Sequence, residues 1–214
     1  MIAREDLIRQ LASGVKPVPR GAGLRRLLAG IAAGAAVSLA GIAAWSGPPL
    51  QSVQYTGAAA FTMKTAFAVA MFAIAAMLLF RAGRPGSELG RRWLWLLVPP
   101  ALVAVSAVME LSMTLPQYRT EKWLGSTSQT CLLTITLLSL PVFVGLSWAF
   151  RQLAPTRLRL AGLLAGLTAG SAAAVLYALY CPETTATFLL SWYSLGILTA
   201  GLVGLVFGPR LLRW

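Results

Sequence analysis

The chain contains no histidine and only six acidic residues among its 214. Without an imidazole there is no histidine-based nucleophile triad and no histidine metal centre. The acidic residues Glu5, Asp6, Glu88, Glu110, Glu121 and Glu183 are scattered, so no apolar segment holds the two carboxylates that acid and base work would require. No glycine-rich phosphate loop follows a strand pattern. The two cysteines, Cys131 and Cys181, stand 50 positions apart and form no CxxC motif. These absences remove the familiar routes to catalysis, and the expectation is a protein that is not an enzyme and carries no cofactor.

Apolar sequence is what the chain has in excess. It is 57% hydrophobic and 11% charged, against about 45–50% and about 25% in soluble domains. Its mean hydropathy is +0.74. Apolar runs at 27–46, 62–80, 93–113, 129–150, 159–180 and 187–208 each approach the roughly 20 residues a helix needs to cross about 30 Å of hydrocarbon. The expectation is an all-α polytopic membrane protein, a bundle of six transmembrane helices. The first run follows some two dozen residues that include Glu5 and Asp6, and five more runs come after it, so it reads as a span rather than a cleaved signal.

Charge orients the pattern. With the N-terminus inside, Arg4, Arg9, Lys16, Arg20, Arg25 and Arg26, Arg81, Arg84, Arg91 and Arg92, Arg151, Arg157 and Arg159, and Arg210 and Arg213 fall on one side. That is fifteen of the eighteen basic residues, leaving Lys64, Arg119 and Lys122 opposite. The loops are short enough for the positive-inside rule, which makes both termini cytoplasmic. Trp45, Trp93, Trp95, Trp123, Trp148 and Trp214 sit near the span ends as an aromatic belt. A net charge of +12 is also a footprint of nucleic-acid binding. Here the basic residues flank spans, so the partner they indicate is membrane lipid, with no direct contact to nucleic acid.

Small residues four apart mark helix contacts. Gly30 and Gly34 do so in the first span, Gly162, Gly166 and Gly170 in the fifth, and Gly204 and Gly208 in the sixth. The fifth span is therefore expected at the centre, its glycine stripe packing the monomer. Pro99, Pro100 and Pro141, inside apolar runs, predict kinks.

Three groups of residues stand out as functional candidates. Lys64 and Glu110 are the charges nearest the hydrocarbon and fall at matching ends of the second and third spans. They either pair or snorkel to the interface. Cys131 opens the fourth span and Cys181 closes the fifth at the same outer, oxidising face, where a disulfide or a stress-reactive pair is feasible. Two inert small hydrophobes are the alternative. Ser126, Thr127 and Ser128 form a capping cluster just before Cys131, a setting that favours thiolate, whereas Cys181 precedes Pro182 at a helix C-terminus, where the dipole opposes it. Third, residues 2–12 read as a short amphipathic helix with Leu7, Ile8 and Leu11 on one face and Arg4, Glu5 and Arg9 elsewhere, stopped by Ser13, Gly14, Pro17 and Pro19. A helix this short gains stability on a membrane or in a partner's groove, and the acidic pair Glu5 and Asp6 favours a protein partner.

Taken in order, these features resemble the negative regulator of sigma F family, six-span bacterial inner-membrane anti-sigma factors for extracytoplasmic-function sigma factors. The residues that carry the resemblance are Leu7–Leu11 (LIRQL), Met63–Thr65 (MKT), Leu153–Thr156 (LAPT), Ala161–Gly166 (AGLLAG) with Gly170, Leu176–Cys181 (LYALYC), Ser191–Tyr193 (SWY) and Gly208–Trp214 (GPRLLRW). The resemblance implies an inner-membrane protein in two parts. Residues 1–25 would be a cytoplasmic arm that withholds a sigma factor from RNA polymerase, with Arg4, Glu5, Asp6, Leu7, Ile8 and Leu11 as the candidate contacts. Residues 26–214 would be a transmembrane sensor in which Cys131 and Cys181 respond to oxidants or heavy metals, with no resting metal and capture of a soft metal by the two thiols. The residues alone leave two rivals open. One is a small transporter or channel coupled through Lys64 and Glu110. The other is an inner-membrane thiol oxidoreductase, which would want a CxxC.

Overall fold

The computed structural model describes Asp6, Ser13 and residues 21–47, 51–84, 89–151 and 157–211. Of the expected arm contacts only Asp6, helical and exposed, falls within these; Arg4, Glu5, Leu7, Ile8 and Leu11 lie outside the described residues. Among the described residues the secondary structure is helical, with no strand. That is the solution lipid imposes, because a helix satisfies its own backbone polar groups where there is no water to do so.

Among the described residues from 21 onward, seven main helical segments follow in order: α1 (Ala22–Ser46), α2 (Gln51–Ala82), α3 (Val98–Met113), α4 (Pro116–Leu124), α5 (Ser128–Arg151), α6 (Leu158–Ala178) and α7 (Ala186–Leu211). Six segments are long and apolar enough to cross a membrane, and each contains or overlaps an expected run, the fourth starting at Pro116 because it takes in α4. The short α4 was not expected. It begins at Pro116, which suits the first turn of a helix, and ends at Gly125 with φ 56°. In α2 the helix breaks at Gly57, whose φ of 74° is open to glycine and strained for other residues. The apolar span starts there.

The central helix is α6. In its most apolar stretch 78% of residues are buried, against 17% in the segment containing α3. This difference separates a core helix from one that faces lipid on most sides, with Leu102, Val105, Val108 and Met109 exposed. Glycine makes the central packing possible. A Cβ on Gly162 would overlap the Gly204 carbonyl oxygen and one on Gly204 would overlap that of Gly162, so α6 and α7 touch backbone to backbone. The stripe of Gly162, Gly166 and Gly170 thus packs within the chain, against Gly204, Gly208, Gly201, Ala200 and Ile197 of α7. On the other flank α1 buries Leu27, Gly30, Gly34, Ser38 and Ile42, one face at three- and four-residue spacing. That face lies on α5, where Ser38 Oγ donates to the Leu138 carbonyl at 2.7 Å.

Two of the three expected kinks are not found. A 3-10 helix, Gly90–Leu97, precedes α3, and Pro99 and Pro100 sit in the first turn of α3, where a missing N–H breaks no hydrogen bond. Pro141 does lie inside α5. In α7 the chain widens into a π-helical turn at Leu189–Tyr193, whose last residue is fully buried. No periodicity in the sequence announced that turn.

Candidate functional site

The site lies at the end of the bundle where α2 begins, α5 begins and α6 ends. Lys64, one turn or two beyond the Gly57 break, is 2% exposed. Its ammonium Nζ donates to the Cys181 carbonyl at 2.7 Å and to the Glu183 carbonyl at 2.8 Å. An unpaired ammonium at such a depth costs several kcal/mol. The carbonyls after the end of α6 offset that cost, because they are acceptors without an intrahelical donor at the negative end of a helix. Lys64 thereby ties α2 to the segment that leaves α6.

The same segment caps α5. Glu183 Oε1 accepts from Ser126 N at 2.8 Å, Ser126 Oγ at 2.8 Å, Thr127 N at 3.1 Å and Thr127 Oγ1 at 3.0 Å. Ser126 and Thr127 were expected to cap the helix with their own hydroxyl oxygens. Instead they donate to a carboxylate from 56 or 57 positions away. A negative charge therefore sits at the positive end of α5, one turn from Cys131, whose N–H donates to the Thr127 carbonyl at 2.7 Å. This neighbour opposes the α5 dipole, which was expected to favour thiolate at Cys131.

Both thiols are free and fully buried, each 0% exposed. They belong to one buried cluster with Tyr177 and Tyr193, whose rings lie 5.9 Å apart between centroids. Lys64, Cys131, Cys181 and Glu183 are close enough to act on each other electrostatically. Burial pushes the Cys181 thiol up and the Glu183 charge adds to the rise, while the Lys64 ammonium, the Tyr193 hydroxyl and the Glu183 backbone N–H act in the opposite direction. The Tyr193 hydroxyl sits beside Cys181 and has no well-formed hydrogen bond. For a soft metal the cluster offers two sulfur ligands, and among the described residues no group of three or more Cys, Asp or Glu is placed to hold an ion.

Lys64 and Glu110 do not pair. Glu110 Oε2 accepts from Thr187 N and Thr187 Oγ1, each at 3.1 Å, and Oε1 lies 3.5 Å from Lys122 Nζ. The physical reason is that each charge meets a helix end: Lys64 the carbonyls after α6, Glu110 the free N–H groups at the start of α7, beside the Thr185 hydroxyl that accepts from Phe188 N at 3.3 Å. The coupled pair on which a transporter reading rested is therefore not formed.

Above this layer, Tyr118, Glu121, Lys122, Ser126, Glu183 and Thr185 line an open pocket of about 470 Å³. Trp192 Nε1 donates to the Trp123 carbonyl at 2.8 Å, and Trp123 Nε1 to Ser191 Oγ at 3.1 Å, which fixes α4 across the start of α7. Sequence reasoning singled out Lys64, Cys131, Cys181 and Glu110, and missed Glu183, Tyr177 and Tyr193. One signal for Glu183 was available: it is a carboxylate two residues past Cys181.

Comparison with known proteins gives the architecture its context. The family model described as negative regulator of sigma F matches residues 11–214. The chain is 36% identical to the probable anti-sigma-F factor NrsF of Azospira oryzae, over 98% of this chain and 99% of that protein. It is 41% identical to the anti-sigma-F factor NrsF of Caulobacter vibrioides over 136 residues, 63% of each. No solved structure matches it. With a family match that spans all six membrane helices and a full-length relative at more than a third identity, the chain belongs to the negative regulator of sigma F family, and its role is regulatory rather than enzymatic.

Proposed function

We propose that this protein is a membrane-bound anti-sigma factor that holds an extracytoplasmic-function sigma factor on a cytoplasmic arm, residues 1–25, and releases it when Cys131 and Cys181 react with an oxidant or a soft metal at the periplasmic face. The observation that carries the reading is the buried thiol pair tied into three spans at once. Lys64 joins α2 to the exit of α6, and Glu183 joins that exit to the start of α5. The inner bacterial membrane is the location, with both termini cytoplasmic, on the fifteen-to-three division of basic residues. The sensor domain comprises residues 26–214.

The mechanism is transmembrane coupling between two states. A charge or bond placed on sulfur changes the interactions that hold the end of α6. As a core helix pressed backbone to backbone on α7, α6 is the element through which a shift at the thiol end would pass as a rigid-body movement. Its other end follows α5 in the chain, and the end of α5 lies beside the start of α1, where Gly30 packs on Gly145. A hundredfold change in sigma affinity needs about 2.7 kcal/mol of coupling, within the ordinary range for linked sites.

The arm and the sensor are separately testable. Deleting residues 2–12 is expected to release the sigma regulon while the protein still inserts, and Leu7→Asp or Leu11→Asp is expected to act in the same direction. A regulon that stays repressed at unchanged protein level would show that the arm is not the inhibitory element. Cys131→Ser and Cys181→Ser are expected to preserve repression and blunt induction by oxidant or metal.

A further inference from the structure

We propose that Cys181, rather than Cys131, is the thiol that reacts first with a hydroperoxide, its thiolate and the sulfenate it becomes being held by the Lys64 ammonium and the Tyr193 hydroxyl. The inference deepens the sensing reading and rests on it for its biological meaning, but not for its chemistry.

Position along the helices argues for the opposite order, since Cys131 is near a helix N-terminus and Cys181 follows a helix C-terminus. Two features of the structure reverse it. At Cys131 the positive end of α5 is covered by the Glu183 carboxylate, which accepts four hydrogen bonds there and so offsets the dipole; the same carboxylate also acts against a thiolate at Cys181. At Cys181 the negative end of α6 is covered by Lys64, whose Nζ lies 2.7 Å from the Cys181 carbonyl. The same charges that cap the two helices thus exchange the dipole advantage between the two thiols.

Tyr193 supplies the second, independent observation. It is 0% exposed, its hydroxyl lies beside the Cys181 sulfur, and that hydroxyl has no well-formed hydrogen bond. A buried hydroxyl without a partner costs free energy. An anion on the neighbouring sulfur would give it an acceptor. The ammonium has three donors, two of them on the Cys181 and Glu183 carbonyls, and its charge acts on the Cys181 sulfur. The groups that face Cys181 are Lys64 on α2, Cys131 on α5, Tyr177 on α6, Tyr193 on α7, and Glu183 on its own segment. Of these only Lys64 carries positive charge.

The step balances. The Cys181 thiolate attacks one oxygen of the hydroperoxide, an S–O bond forms and the O–O bond breaks, and the leaving hydroxide or alkoxide takes up the proton the thiol gave up. Sulfur is oxidised to a sulfenic acid and the peroxide is reduced to water or alcohol. Glu183, two residues beyond Cys181, lines the open pocket at this end of the bundle.

The test uses full-length protein in lipid nanodiscs, with hydrogen peroxide as the oxidant and a dimedone-type trap read by intact mass. C131S reports on Cys181 and C181S on Cys131. Cys181 is expected to form sulfenate at least about tenfold faster. In the C131S background, Lys64→Met is expected to slow the reaction about tenfold and to move the pH of half-maximal rate upward, because the cation that favours thiolate is gone. Tyr193→Phe, which removes one oxygen and keeps the ring, is expected to slow it a few-fold and serves should Lys64→Met fail to insert. Equal or faster reaction at Cys131, or an unmoved pH profile in both Lys64→Met and Tyr193→Phe, overturns the inference. If Cys181 reacts first and the C131S/C181S protein still releases the regulon normally, the sensing reading fails and this inference stands. If that double variant is blind and Cys131 reacts first, the reverse holds.

Discussion

The two ends of the bundle handle charge in different ways. At the basic end, Arg91, Arg92, Arg157, Arg159 and Arg210 are exposed, and the cation that bonds across helices is the exposed Arg151, whose Nε donates to the Leu211 carbonyl of α7. At the thiol end, Lys64, Glu110 and Glu183 each bond to backbone or hydroxyl groups at or beside the end of an element distant in sequence. The first kind of charge orients a chain in a membrane and contributes little to holding it together. The second kind decides which helices meet, and where, and so can report a chemical change to all of them.

The largest expected effect would break the frame that both ends share. Gly204→Leu would drive a side chain into the Gly162 carbonyl at the α6 and α7 contact. The loss is expected to exceed about 3 kcal/mol, the upper part of the overpacking range, and to be read as a collapse of the folded fraction in detergent melting. A smaller effect is expected from Lys64→Met, which leaves the Cys181 and Glu183 carbonyls without their donor. The expected loss is about 1–3 kcal/mol for each acceptor that finds no replacement, measured as a fall in melting temperature. A melting temperature equal to the parent's would mean that the Lys64 contact contributes nothing to the end of α6.

Smaller again is Glu183→Gln, which keeps an acceptor for Ser126 and Thr127 but removes the charge at the start of α5. About 0.3–1 kcal/mol is expected, rising towards about 2 kcal/mol for a partly buried site. The least effect is expected at the opposite end. Arg92→Gln should alter stability by no more than about 0.5 kcal/mol. An Arg92 effect larger than that of Glu183 would erase the contrast between the two ends. The orientation itself is read with a reporter fused after Trp214, expected to be active only in the cytoplasm.

What the sequence disclosed follows the same division. Six spans and the basic flank were legible because hydropathy and positive charge are summed along local stretches, and neither depends on what a residue touches. The core position of α6 was legible for a related reason, since Gly162, Gly166 and Gly170 advertise close approach without naming the partner. The Lys64 and Glu110 pairing failed because matching depth in the membrane says nothing about rotation about the helix axis. The two side chains face different helix ends. Glu183 was overlooked because its role is set by Ser126 and Thr127, more than 50 positions away, and by a turn after α6 that no periodicity encodes. Tyr193 faces Cys181 at the end of a π-helical turn that a regular helical projection would not anticipate. The cysteines were found by residue type and by the charge bias along the chain, which say nothing of the Lys64 and Glu183 groups at the neighbouring helix ends.

The central claim is that the thiol end controls what the cytoplasmic arm holds. It is tested most directly by measuring induction of the sigma regulon in cells carrying the C131S/C181S protein and in cells carrying the parent, under peroxide and under a soft metal, with protein levels matched. The account predicts full repression before stress and a flat response during it in the double variant. Induction equal to that of the parent would contradict it.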